Sequence, residues 1–166
     1  MNLQIELALD NMKWSVDNLT TKDKYVNSHN RIVPSVTEII HAMIHKDALM
    51  YWANSLGFKG VRYGSYMVKA SRIGTECHNA IERYIKKKEK TEDNIPFLGF
   101  LAWYDSLIRA GNKVEILGSE VSLVCLWFGG TLDLLIQING KVYIVDFKTS
   151  NHISSNYFLQ LGGYKY

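Results

Sequence analysis

The sequence predicts an α+β chain in which N-terminal helices pack on a small mixed sheet, built around an antiparallel meander and closed by a C-terminal helix. Three observations carry this prediction. Between Pro34 and Ala110 apolar residues recur at helical spacing, whereas from Val114 onward β-branched and aromatic runs take over, interrupted by Gly118, Gly129-Gly130 and Asn139-Gly140. The third observation is quantity: 166 residues, 47% of them hydrophobic and 21% charged, supply one packed core and little material for a second. A single domain over 1–166 is therefore expected, with an N-terminal extension (1–33), a mostly helical part (34–112), the meander (113–150) and the closing helix (151–166).

Each element has its own signal. Pro34 precedes Ser35-Val36-Thr37-Glu38, whose spacing lets a hydroxyl and a carboxylate satisfy each other's free backbone amides, so a helix should begin there and run to about Leu56. Ile73, Cys77, Ala80, Ile81, Tyr84 and Ile85 make an apolar stripe on a second helix. A third covers roughly Ile95 to Ala110, with Pro96 at its start and Gly111-Asn112 as a left-handed stop. Asn139-Gly140 is the strongest hairpin signal. Asn151, Ser154 and Ser155 are turn formers or helix N-caps ahead of NYFLQLGGYKY.

Charge and composition exclude several classes. A net charge of +3 is unremarkable, and the dense run Lys86, Lys87, Lys88 and Lys90 reads either as a solvated helix end or as a phosphate-contacting patch. Cys77 and Cys125 are far apart, which supports neither a disulfide framework nor a four-cysteine metal site and fits a reducing compartment. No stretch approaches the ~20 apolar residues that span a bilayer, and the start lacks a signal-peptide core, so a soluble intracellular protein without a membrane partner is expected. His41 and His45 have the spacing of a zinc-protease pair, but Ala42 stands where the glutamate base is needed. Gly57, Gly60 and Gly64 lack the ending of a phosphate loop.

The residues that suggest chemistry lie around the hairpin. If Asn139-Gly140 is a two-residue turn, Ile138 faces Lys141, Asp133 faces Asp146 and Thr131 faces Lys148. Opposed like charges are unfavourable, and a divalent cation relieves them while supplying a Lewis acid. Spacing alone supports equally well a wet sheet face on which Lys148 neutralises an aspartate.

The stretch GGTLDLL followed by VDFKTS resembles the core motif of the PD-(D/E)XK nuclease superfamily, with Asp133 as the first aspartate and Asp146-Phe147-Lys148 as D/E-x-K. PSVTEII, GTECHNAIE and a final Gln160-to-Tyr164 spacing are similar to further elements of its RecB-type, phage exonuclease and mitochondrial genome maintenance exonuclease branch, in that order, from about Val33 to the end. The resemblance implies a restriction-endonuclease-like core and a metal-dependent DNA exonuclease acting on single strands or ends. It implies that His78, Asp133, Asp146 and the Phe147 carbonyl hold Mg²⁺ or Mn²⁺, that Lys148 is the catalytic lysine, and that Gln160, Tyr164 and Thr149 contact DNA or support the site. Glu82, one turn after His78, can orient its tautomer or simply face water. Outside this context a histidine beside an apolar helix face reads as a structural residue.

Glu120 resembles another acidic residue of these relatives, yet counting strands across a Gly129-Gly130 turn puts it opposite Asn139, so it joins only if its strand bends. Two cysteines cannot supply the iron–sulfur cluster of some relatives. Trp103, Tyr104, Trp127 and Tyr157 are available for base stacking. These relatives usually continue beyond the final helix, so a fragment or a reduced domain with a protein partner is expected. The competing readings are a non-catalytic nucleic-acid-binding module and a protein-interaction domain.

Overall fold

A computed structural model describes residues 20–21, 24–43, 47–91, 93–150 and 152–165. His45 and Asn151 lie outside the described residues. The fold is α+β, and the described residues divide into two compact units: one takes those up to Ala42, in Gly111–Asp146 and from Ser154 onward, the other those in Met43–Ala110 and Phe147–Ile153.

The first unit is built on two three-stranded antiparallel sheets. One is short: β1 (Thr20–Thr21), β2 (Lys24–Val26) and β3 (Ile32–Val33). It falls within the stretch read from sequence as a polar extension, where strands this short leave no countable alternation. The other is the expected meander: β4 (Val114–Val124), β5 (Gly129–Ile138) and β6 (Lys141–Val145). Among the described residues, parallel pairing is limited to one bridge, between Ser35 and Gly129.

The helix α1 (Val36–Met43) begins at the reciprocal cap its sequence foretells: the Ser35 amide donates to Glu38 Oε2 at 2.7 Å and the Glu38 amide to Ser35 Oγ at 3.1 Å. Val36 packs with Leu123, Leu132, Leu135 and Tyr164, the last from the closing helix α5 (Ser155–Lys165). Central strand β5 is the most buried element, with Leu132, Leu134, Leu135 and Ile136 at 1% exposure or less.

The two turns of the meander differ in origin. Asn139 and Gly140 have φ of 50° and 83°, the doubly left-handed geometry of a type I′ turn, and Ile138 pairs with Lys141. The β4–β5 turn is not at Gly129-Gly130. Both glycines are inside β5, and the turn is Cys125–Phe128, closed by the Cys125 amide donating to the Phe128 carbonyl at 2.9 Å. Gly118 likewise sits within β4, beside a bulge after Ile116. The paired glycines admit aromatic rings rather than a bend: a Cβ on Gly129 would meet the Tyr25 ring at 2.4 Å, and one on Gly130 the Tyr164 ring at 2.2 Å.

The second unit is helical: α2 (Asp47–Phe58), α3 (Tyr63–Lys87) and α4 (Ile95–Arg109). Asn94 caps α4 by accepting from the Phe97 amide, Pro96 lies in its first turn, and Gly111 follows at φ 78°. Cys77, Ala80 and Ile81 of the expected stripe are buried, and Tyr84 meets Phe97 and Phe100 edge-on at 6.0 Å. The lysine run ends the helix as a solvated terminus, with Lys86 paired to Glu82 and Lys88 over the Tyr84 ring. Among the described residues no helix is long and apolar enough to cross a membrane.

Gly130→Ala should cost about 1–3 kcal/mol in urea unfolding, because the added methyl overpacks against Tyr164. Gly99→Ala, at an open position inside α4, should instead stabilise by about 0.5–1 kcal/mol. Equal effects at the two sites would contradict the packing described.

Candidate functional site

Register places the acidic residues of the first unit. Ser119 pairs with Leu134 and Val121 with Leu132, so Glu120 stands opposite Asp133, and their carboxylate oxygens lie within 4.8 Å of each other. This corrects the position opposite Asn139 obtained by strand counting: moving the turn from Gly129-Gly130 to Cys125–Phe128 slides β4 along β5 until the two acids meet. Glu120 takes up this position with φ at 51°, a left-handed conformation that costs a side-chain-bearing residue roughly 1–2 kcal/mol.

Asp146 follows from the second turn. The β5–β6 ladder ends with Leu134 opposite Val145, which leaves Asp133 and Asp146 one step further along the same register. Gln160 of α5 donates from Nε2 to Asp146 Oδ1 at 3.1 Å and to the Tyr164 hydroxyl at 2.8 Å. Gln160 and Tyr164, four apart on one helical face as expected, are both buried. Burial pushes the Tyr164 phenol up to about 12; the Gln160 hydrogen bond pulls it back, and the charges of Asp146, Tyr25 and Asp133 add to the rise.

A second polar row adjoins the first. Thr131, two residues before Asp133, shares hydroxyl hydrogen bonds with Ser122 at 3.1 Å and with Tyr25 at 3.0 Å. Thr131 therefore faces Ser122 across β4, and the expected alignment with Lys148 is not a ladder pair, because β6 stops at Val145. Tyr25 was not foreseen, since a tyrosine in a short, polar stretch has no periodic signal; its only trace in sequence is Gly129, the small residue that receives its ring.

The remaining predicted residues belong to the second unit. His78 on α3 is half-buried, with its ring edge-on to Phe147 at 6.4 Å. Phe147 also meets Phe100 at 5.3 Å and Trp103 at 6.3 Å, so its side chain packs on α4. Glu82 pairs with Lys86 through Oε1. Lys148 is exposed, and the Thr149 hydroxyl stands over Gly74, 3.5 Å from where a Cβ would be.

Chemically, Glu120 and Asp133 fit a hard divalent cation: two carboxylates converge from adjacent strands at a separation that oxygen–metal distances of roughly 2.1–2.4 Å come close to spanning. Comparison with protein-family models, with curated proteins and with solved structures finds no match.

The Tyr164 phenol also sets an alkaline limit. A folded-state value near 12 against the ordinary 10 means that the unfolded chain loses this proton first, so its contribution is complete below about pH 10 and disappears as pH rises to about 12. Urea midpoints measured over that interval should fall for the wild type and flatten in Tyr164→Phe.

Proposed function

We propose that this chain is a divalent-metal-dependent deoxyribonuclease of the PD-(D/E)XK type, cutting phosphodiester bonds of single-stranded or end-processed DNA as an exonuclease. The observation that carries the reading is Glu120. It occupies a costly left-handed conformation and directly faces a second acid, Asp133. Two unfavourable features at one point, neither needed to close the meander, suggest a position retained for binding. The same acid was the weakest member of the motif by strand counting, and observed register removes that objection.

In this reading Glu120, Asp133 and Asp146 hold Mg²⁺ or Mn²⁺, which supplies Lewis acidity toward a phosphodiester oxygen. Gln160 orients Asp146 through its Nε2 hydrogen bond, and Tyr164 fixes Gln160 in turn. The roles of Lys148 in stabilising phosphate charge and of His78 and the Phe147 carbonyl as further metal ligands come from the sequence motif. DNA as substrate comes from it as well.

Cleavage of end-labelled DNA in Mg²⁺ or Mn²⁺ tests the proposal. Asp133→Asn, Asp146→Asn and Lys148→Ala should each lower the rate by about 100-fold or more. Undiminished cleavage in all three sinks it, and tight DNA binding without any cleavage would favour a non-catalytic module. Glu120→Gln should be more stable than wild type by up to about 1 kcal/mol in EDTA, since it removes the opposed charge. That order should reverse in Mn²⁺, which stabilises only a chain that binds it.

A further inference from the structure

We infer that the α2–α3 hairpin of the second unit carries a docking surface for single-stranded DNA. The inference takes DNA as the nucleic acid from the nuclease reading; the surface itself rests on separate observations. From Ala48 to Thr75 the chain has four cations, Lys59, Arg62, Lys69 and Arg72, and no aspartate or glutamate. Within this acid-free stretch large aromatic side chains face solvent: Tyr51 at 77% exposure, Phe58 at 94% and Tyr66 at 40%.

Burying such rings would ordinarily contribute to a core; Arg72 is engaged by Glu76 at 3.6 Å, but the exposure of the rings beside Lys59, Arg62 and Lys69 calls for a partner with flat apolar faces and negative charge. Trp52 meets Tyr63 at 5.7 Å and Tyr66 at 5.3 Å, both nearly perpendicular, which holds the rings in place before any ligand arrives. Arg62, Tyr66 and Lys69 follow one another at helical spacing along one face, so a stacking ring is flanked by two cations.

A single strand meets both demands, because its unpaired bases stack on aromatic rings while its phosphates take the cations. A duplex offers the phosphates but keeps its bases paired. A second copy of this chain offers the apolar area, but a two-fold contact would bring this cationic face against an identical cationic face.

The test is fluorescence anisotropy of labelled oligothymidylate in EDTA, across a salt series. Tyr51→Ser/Phe58→Ser, chosen because both rings are exposed, should weaken binding about tenfold. Lys59→Ala/Arg62→Ala should weaken it similarly and reduce the salt slope by about 1.4, while duplex affinity changes less than twofold in Tyr51→Ser/Phe58→Ser, because paired bases cannot stack on the rings. Unchanged single-strand affinity in either double variant overturns the inference, as does equal weakening toward duplex in Tyr51→Ser/Phe58→Ser. A wild-type dimer that Tyr51→Ser/Phe58→Ser converts to monomer assigns the face to self-association and overturns it too. Binding is read without metal, so a failure of cleavage leaves these affinities as they are, and their failure leaves the cleavage assay standing.

Discussion

The register of β4 against β5 depends on a turn that Asn27 holds from outside the hairpin. Buried Asn27 donates from Nδ2 to the Leu126 carbonyl at 2.8 Å, and its Oδ1 accepts from the amides of His29 and Arg31 at 3.0 Å. Both polar atoms of that side chain have partners, as a buried amide requires. The bridge from Ser35 and the hydrogen bond from the Gly129 amide to the Pro34 carbonyl tie the start of β5 to the same stretch of chain. With the turn held at Leu126-Trp127, side-chain alternation leaves Glu120 and Asp133 facing each other, and a slip of one residue would send them to opposite faces.

The acidic row is therefore something the scaffold maintains against local preference. Opposed carboxylates repel, and a glutamate at positive φ is strained, yet both are fixed by ladder hydrogen bonds on either side. The polar groups around them are arranged to accept this. Gln160 uses both amide protons, one on Asp146 and one on Tyr164, while Thr131 is shared between Ser122 and Tyr25. Tyr25 and Tyr164 reach these positions because β5 begins with two glycines, over which the two rings lie. A residue pair that reads in sequence as a bend is in space the clearance for two tyrosines.

Signals carried by neighbouring residues were legible in advance. The Ser35–Glu38 cap, the Asn139-Gly140 turn, the buried stripe of α3 and the Gln160–Tyr164 spacing are all local, acting over at most a few residues, and each is found where its pattern placed it. The short sheet β1–β3 was not, because strands of two or three residues are set by their partners rather than by any periodicity of their own. Helical spacing puts Glu82 within reach of both His78 and Lys86, and an ion pair forms with Lys86.

The sequence by itself determined the α+β division, the helix caps and the type I′ turn, because propensity, capping and left-handed glycine geometry are properties of a few consecutive residues. It also marked Asp133 and Asp146 as facing positions, since a two-residue turn leaves no freedom in counting outward. Only the tertiary structure decided that Glu120 meets Asp133. That outcome depends on which residues form the β4–β5 turn, and that turn is tied by Asn27, far away in sequence, through a hydrogen bond to Leu126 that no local pattern encodes.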